Sequence, residues 1–257
     1  MTTSLIECFN VEALIDGYRA ALPWPHAVVD LVLDEGEAAA VVAEGLAVPA
    51  SGRERQDTHR VRKDAIGDWQ VMGDKTRRWL EELNEPTFVD ALSRLTGVPG
   101  LVADASLYNS GLFITPTGGW HRVHEDFPRH PHTGLWHRAA ALLYCSDWAP
   151  GWGGELELWP PDMSAVGRTI PPLPGRLVVF ETGPATRHGL RTVQFPNGAP
   201  RVVLATRYYS PVAPLLAPSR PLHAWSRRPT ERLSDVLPTP PEILASLRLR
   251  WEGWRRA

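Results

Sequence analysis

The first hundred residues carry the pattern of amphipathic helices. Apolar residues recur there at intervals of three and four, which predicts helix. The pattern covers residues 11–21, 35–46, 75–83 and 87–95. Asp34 or Asp30 is placed to cap the second helix, and Thr96 and Gly97 end the fourth. We expect these helices to form a layer that supports the rest of the chain.

After Gly100 the pattern changes to short apolar runs that are separated by Gly and Pro. The runs cover residues 106–115, 139–145, 155–159, 176–181 and 201–209. Strands of this length without amphipathic helices between them indicate an antiparallel sandwich or barrel. The predicted fold class is therefore mainly β with a helical buttress.

A single domain is expected over residues 1–257. Residues 1–99 would form the helical support, residues 100–212 the β core, and residues 213–257 a proline-rich segment with a C-terminal helix. That helix would pack its apolar face back on the domain through Leu244, Leu247, Trp251 and Trp254. With 43% hydrophobic residues, the chain can bury a sizeable core.

Composition and charge argue against several classes of partner. The formal net charge of -2 gives no overall field that would attract nucleic acid or an anionic membrane. No stretch approaches the roughly 20 apolar residues of a membrane span, and the N-terminus lacks a signal-like pattern. Cys8 and Cys145 are too few for a disulfide framework or a thiolate zinc site. We predict a cytoplasmic protein without a nucleic-acid or membrane partner.

The candidate chemistry is concentrated between Gly118 and Arg138. His124 and Asp126 are separated by one residue, so on an extended strand their side chains leave the same face. An imidazole and a carboxylate can bind a divalent ion from one edge, and a second His would complete a facial triad with open positions. His188 is the candidate, because it follows an apolar strand and a Gly-Pro turn. The expected ion is ferrous iron.

Two arginines on the last apolar strand are candidates for binding anions. Arg201 begins this strand, where an inward guanidinium would bind a carboxylate through two charge-assisted hydrogen bonds. Period-two alternation puts Arg207 on the same face, roughly 20 Å away on a straight strand. Arg207 is a candidate for an anionic group of the substrate at the far rim. The favoured alternative is a surface arginine paired with a carboxylate.

The remaining histidines are expected to support the site rather than to bind metal. His121 lies three residues before His124 and should therefore point to the opposite face of the strand. His130, His132 and His137 lie in a segment interrupted by Pro and are interpreted as loop residues or residues behind the ligands. A histidine-rich zinc site is disfavoured because such sites generally use cysteines as well.

A polar segment from Pro49 to Trp69 concentrates positive charge. Its cationic residues are Arg53, Arg55, Arg60, Arg62 and Lys63. The favoured interpretation is a solvated charged surface, either a loop or an edge strand, and substrate binding is the alternative.

These residues together resemble the iron and 2-oxoglutarate-dependent dioxygenases of the prolyl-hydroxylase-like group. The group's pattern is His-x-Asp, a distal His, and an Arg roughly ten residues further on. Other segments resemble the family in the same order, over about residues 80 to 210, among them Leu83-Asn-Glu-Pro, Gly118-Gly-Trp, Asp147-Trp and Gly153-Gly-Glu-Leu-Glu-Leu-Trp. The resemblance implies a double-stranded β-helix, or jelly roll, with Fe(II) held by His124, Asp126 and His188.

The resemblance also implies 2-oxoglutarate and dioxygen as cosubstrates. The far carboxylate of 2-oxoglutarate would meet Arg201, helped by the Tyr144 hydroxyl. Trp120 joins Arg207 as a candidate substrate contact. Two positions depart from the family: Val203 stands where related enzymes often have Ser, and Ala140 where they often have Asn.

Three functions stay open at this point. The first is hydroxylation of an unactivated C–H bond of a small molecule, an amino acid or biosynthetic intermediate, with release of succinate and CO2. The second is hydroxylation of a prolyl-type side chain in a protein or peptide. The third is a non-catalytic jelly-roll module, which the complete triad and Arg201 argue against. Halogenation is disfavoured because the halogenating relatives replace the carboxylate that Asp126 provides.

Overall fold

The computed structural model describes residues 4–215 and 224–240. The helices in these residues are α1 (Leu5–Cys8), α2 (Val11–Ala20), α3 (Glu35–Ala47), α4 (Asp74–Asn84) and α5 (Pro86–Thr96). The strands are β1 (His26–Val29), β2 (Glu54–Asp57), β3 (Arg62–Ile66), β4 (Val102–Ala103), β5 (Gly111–Thr115), β6 (His121–Glu125), β7 (Trp136–Tyr144), β8 (Leu156–Trp159), β9 (Arg168–Ile170), β10 (Leu177–Glu181), β11 (Arg187–Leu190), β12 (Arg201–Ser210) and β13 (Ala224–Trp225).

Two antiparallel sheets form the core. The larger has eight strands in the order β1-β10-β7-β12-β5-β3-β2, with β4 paired to β12 as well. The smaller has five strands in the order β13-β6-β11-β8-β9. Phe113, Tyr144 and Val203 of the larger sheet share one buried cluster with Leu156 and Leu158 of the smaller sheet, so the two sheets pack face to face. The predicted jelly roll is confirmed.

The predicted helical layer covers the outer face of the larger sheet. Along β12, Val203 and Ala205 point into the cluster between the sheets, whereas Val202 and Leu204 belong to a second cluster that contains the helices. Leu92 of α5 is fully buried in this outer cluster. The alternation therefore gives β12 two apolar faces, one for the helices and one for the site. The first hundred residues also contribute β1, β2 and β3 to the sheet.

The helix ends follow from their capping residues. The Asp34 carboxylate accepts a hydrogen bond of 2.8 Å from the Glu37 backbone N–H, which caps α3. Asp30 instead pairs with both Nε and a terminal nitrogen of Arg176, at 2.6 and 2.9 Å. α5 begins at Pro86 and ends before Gly97, whose φ of 70° ends the helix in the left-handed region.

Three expectations concern the termini and the cysteines. The predicted C-terminal helix, with Trp251 and Trp254, lies outside the described residues. Among residues 4–215 and 224–240, no helix has the length and apolar character needed to cross a membrane. Cys8 and Cys145 are free thiols, and Cys145 is buried.

Candidate metal centre and its cavity

The three predicted metal ligands meet at one end of the smaller sheet. His124 on β6 and His188 on β11 are direct partners in the antiparallel register. Asp126 follows the last residue of β6. Each of the three side chains is buried and offers a ligand atom, and these atoms all lie within 4.8 Å of one another. The structure thus brings together the triad that the sequence spacing predicted.

Backbone carbonyls fix how both imidazoles face the centre. Nδ1 of His124 lies 2.9 Å from the carbonyl oxygen of Arg122, and Nδ1 of His188 lies 3.4 Å from that of Thr186. A carbonyl only accepts, so Nδ1 carries the proton and Nε2 keeps its lone pair. Nε2 of His124 and of His188 lie 3.5 and 4.0 Å from Asp126 oxygens. Burial lowers the pKa of His188 to about 3, which keeps this ring neutral as metal binding requires.

Asp126 is an ionised carboxylate with an unused oxygen. Burial opposes its ionisation, but the nearby positive charge of Arg207 holds the pKa of Asp126 well below its usual range. Its Oδ1 is buried and accepts no hydrogen bond that satisfies normal geometry. A buried carboxylate oxygen of this kind, beside two imidazole nitrogens, is a donor set that suits Fe(II).

The predicted position of Arg207 was wrong. It points inward, as the strand parity required, but a terminal nitrogen of its guanidinium lies 3.6 Å from Asp126 Oδ1. It lies neither at a far rim nor on the surface, because Asp126 turns toward the larger sheet after the end of β6. The guanidinium therefore borders the metal centre.

His121 also departs from the prediction. Its ring stacks on that of His124, with centroids 4.2 Å apart and an interplanar angle of 18°. In the register, His188 pairs with His124 but Leu190 pairs with His121, so β6 has one more residue than β11 over this stretch. This β-bulge brings His121 to the same side as His124, which simple alternation cannot do.

His137 lies on β7 rather than in a loop. Its Nε2 donates to the carbonyl oxygen of Ala139 at 3.1 Å, and its Nδ1 lies 3.9 Å from Asp126 Oδ2. Burial lowers the pKa of His137 to about 4. His130 agrees with the expected supporting role, since its Nδ1 accepts from the backbone N–H groups of His132 and Thr133.

Arg201 and Tyr144 face one another on the inner side of the larger sheet. The guanidinium carbon of Arg201 lies 4.9 Å from the Tyr144 ring centroid. Nε of Arg201 donates to the carbonyl oxygen of Gly154 at 2.9 Å. Within the described residues, no carboxylate lies within ion-pair distance of Arg201, and the buried Tyr144 hydroxyl has no hydrogen-bond partner. A buried cation and a hydroxyl are thus available to an anionic ligand.

Lys63 lines the cavity, although the sequence analysis favoured a solvated surface for its segment and kept substrate binding as the alternative. Its strand β3 pairs with β5, and Nζ of Lys63 lies 3.6 Å from the centroid of the Phe113 ring. Burial, and after it the positive charge of Arg207, lowers the pKa of Lys63 to about 7. The neighbouring Arg62 instead pairs with Asp57 at 2.9 Å, as a surface residue would. Charge density alone could not distinguish the two, but period-two alternation in the hairpin separates them.

One cavity joins these groups. It is lined from the larger sheet by Lys63, Phe113, Thr115, Ala140, Leu142, Phe180, Arg201, Val203, Ala205, Thr206 and Arg207, and from the smaller sheet and its flanks by Trp120, His121, His124, Asp126, Leu156, His188, Gly189 and Leu190. Both departures from the family pattern, Ala140 and Val203, thus face the cavity. The indole of Trp120 donates to the carbonyl oxygen of His59 at 3.3 Å, and Arg62 lies over its ring.

Comparison with known proteins agrees with this arrangement. Residues 110–209 match the family model described as "2OG-Fe(II) oxygenase superfamily". The matched segment contains His124, Asp126 and His188, and it is that of an oxygenase that uses Fe(II) and 2-oxoglutarate. No curated protein sequence matches the chain significantly.

Solved structures of similar fold include enzymes that are named for different reactions. A prolyl-4-hydroxylase from Pseudomonas putida is 17% identical, with a TM-score of 0.57, and the match covers 78% of this chain and 98% of that chain. The carbocyclase SnoK from nogalamycin biosynthesis is also 17% identical, with a TM-score of 0.57 and coverage of 82% and 87%. The epimerase SnoN from the same biosynthesis is 19% identical, with a TM-score of 0.54 and coverage of 88% of each chain. At these identities the similarity concerns the fold of the oxygenase.

Proposed function

We propose that this oxygenase hydroxylates an unactivated C–H bond of a small molecule, an amino acid or biosynthetic intermediate. When bound, Fe(II) and 2-oxoglutarate supply the oxidising chemistry with dioxygen, and succinate and CO2 are released. The protein's residues hold these groups, orient the substrate and exclude water from the cavity. The complete triad argues against a module that only binds.

Arg201 and Tyr144 are the proposed anchor for 2-oxoglutarate. The far carboxylate would pair with the buried Arg201 guanidinium. A paired buried charge costs much less free energy than an unpaired one. The Tyr144 hydroxyl, which lacks a hydrogen-bond partner, would donate to the same carboxylate. Val203 lies two residues along the inner face and offers no hydroxyl, so the anchor depends on these two residues.

The small-molecule proposal rests on the pairing of β6, which has a neighbouring strand on each side. β13 pairs with β6, so that Trp225 stands opposite His124, and the ring centroids of these two residues are 5.2 Å apart. The strand of the metal ligand is therefore an internal strand of its sheet. A polypeptide that binds by strand addition needs an exposed edge, and this edge is occupied beside the metal centre. A compact substrate that enters the cavity needs no such edge.

A turnover screen tests the proposal. The protein is loaded with Fe(II) and 2-oxoglutarate without oxygen, then exposed to oxygen with free amino acids, small metabolites or proline-containing peptides. We expect succinate release above the substrate-free rate with a small molecule, which gains one oxygen atom by mass spectrometry. The His124→Ala variant should give no such release and serves as the control.

The same screen tests the peptidyl alternative. Turnover with proline-containing peptides alone would replace the small-molecule proposal with a prolyl-type hydroxylase. Coupled turnover with formation of a double bond or ring, instead of gain of oxygen, would keep the small molecule but change the outcome of the reaction.

A further inference from the structure

Lys63 stands apart from the other cations of its hairpin. Arg53 lies 3.6 Å from Asp64, and Arg55 and Arg62 lie 3.3 and 2.9 Å from Asp57. Within the described residues, no carboxylate lies within 4.0 Å of Lys63 Nζ, and this nitrogen donates no hydrogen bond. Lys63 lines the cavity, and its Nζ lies over the ring of Phe113. The hairpin therefore sends one uncompensated cation toward the metal centre.

The charges that line the cavity do not balance. Lys63, Arg201 and Arg207 are cationic when Lys63 is protonated, whereas Asp126 is the one carboxylate in the lining. His188 is neutral. Fe(II) brings two positive charges and 2-oxoglutarate two negative charges, so their binding leaves the excess of two positive charges unchanged. An excess of this kind in a poorly solvated space favours a further anionic ligand.

Arg207 and Lys63 are the two cavity cations outside the proposed cosubstrate anchor, and they differ in their charged partners. Arg207 already faces Asp126 Oδ1 at 3.6 Å and helps to keep that carboxylate ionised. Lys63 has only the ring of Phe113. An ammonium over an aromatic face keeps its remaining N–H donors available to an oxygen acceptor. Lys63 is thus the group with unused binding capacity.

We propose that Lys63 is a specificity-determining residue that binds a carboxylate of the substrate inside the cavity, with Arg207 adding to the positive field. This inference rests on the proposed function and names its substrate class: small carboxylic acids rather than neutral compounds. The carboxylate would be held by the larger sheet, and the carbon chain would extend across the apolar lining, including Phe180 and Leu156, toward the triad on the smaller sheet.

The test uses pairs of small monocarboxylates and their primary amides, which have nearly the same shape but differ in charge. Binding is measured by equilibrium dialysis to the full chain loaded with Fe(II) and 2-oxoglutarate without oxygen. We expect at least one acid to bind ten-fold or more tightly than its amide. In Lys63→Met this preference should fall to less than three-fold, and Lys63→Arg should restore most of it because the charge is restored.

The chain provides a matched control. Its only other lysine is Lys75, on the outer side of α4 and paired with Glu37. Lys75→Met removes the same charge from the molecule and should leave the acid preference unchanged. An equal loss in both variants would indicate a general effect of net charge and overturn the proposal.

The outcomes separate this inference from the proposed function. If the wild-type protein lacks the visible charge-transfer band of 2-oxoglutarate chelated to Fe(II), the proposed function fails. If the band is present but no acid is preferred over its amide, or Lys63→Met keeps the preference, the carboxylate site is refuted. Loss of the band itself in Lys63→Met would put Lys63 in the cosubstrate site and overturn the proposal in another way.

Discussion

His188 stands directly opposite His124 in the register of β11 and β6, and the centroids of their rings lie 4.4 Å apart. Because both residues lie on hydrogen-bonded strands, two of the three ligands are fixed by sheet geometry rather than by loops. Only Asp126 lies beyond a strand end, and Arg207 faces it from the other sheet. The position of the third ligand therefore depends on the segment that follows β6.

Replacing either histidine should remove the metal centre. We expect the wild-type protein to bind one Fe(II) per chain and to show the weak visible band of 2-oxoglutarate chelated to ferrous iron. His124→Ala and His188→Ala should each abolish the band, since two ligands cannot hold the ion in a facial arrangement. Anaerobic absorption spectra provide the measurement. An undiminished band in either variant would refute the assignment of that ligand.

Arg201→Ala should weaken 2-oxoglutarate binding by about 2–4 kcal/mol, as expected when one partner of a desolvated charge pair is removed. Binding of Fe(II) should survive, because Arg201 is not part of the triad. Tyr144→Phe should have a milder effect in the same direction. Titration of the Fe(II)-loaded protein with 2-oxoglutarate gives both affinities. Unchanged affinity in Arg201→Ala, with a loss in Arg207→Ala, would move the anchor to Arg207.

Gly111 should not tolerate a side chain. Its φ is 109°, and a Cβ there would meet the Ile66 carbonyl oxygen at 2.2 Å, so β3 and β5 would have to separate. Gly111→Ala should therefore lower the free energy of unfolding by more than about 3 kcal/mol. Gly17 in α2 has no atom within 4 Å of such a Cβ. Gly17→Ala should raise that free energy by up to about 1 kcal/mol, and urea unfolding compares the two variants.

Glu37 should make stability depend on pH. The hydrogen bond from Lys75 lowers the pKa of Glu37. Burial opposes this effect, and the hydrogen bond that the Trp79 indole donates at 3.0 Å adds to it. A lowered pKa in the folded state means that the stabilisation is present above the ordinary value of 4.5 and is lost as the pH falls through the folded value. Glu37→Gln should therefore cost about 1 kcal/mol at pH 7 and less near pH 3.

The control for this prediction is Glu35→Gln, since Glu35 occupies the same first turn of α3 and is exposed. It reports the interaction of a carboxylate with the helix dipole alone. Urea unfolding of both variants at the two pH values separates the contributions. An equal cost of both substitutions at pH 7 would leave no specific contribution for the Lys75 and Trp79 contacts.

Much of the site could be predicted from local pattern. The spacing of His124 and Asp126 predicts two ligands on the same face of a strand. In the strand that begins at Arg201, the alternation of residues predicts that this arginine points inward. These features depend on one strand at a time. The antiparallel β core could be predicted because short apolar runs follow one another without amphipathic helices between them.

The rest required pairing between distant strands. Alternation puts Lys63 and Arg62 on opposite faces of β3, but only the pairing of β3 with β5 shows which of these faces meets the cavity. Arg207 had the right parity, but its distance from the metal centre depends on where Asp126 turns after β6. The pairing of β13 with β6 joins segments that share no motif. A single sequence holds no local signal for such contacts.

The bulge in β6 absorbs one residue of chain length beside the metal centre. With one extra residue between His121 and His124, it is what brings the two rings into a stack. Deleting Arg122 would place His121 two residues before His124, where strict alternation again puts both side chains on one face. For a library of variants, this deletion should therefore keep the two rings together, whereas deleting Glu125 would make His124 and Asp126 neighbours on opposite faces and separate two ligands that are both still encoded.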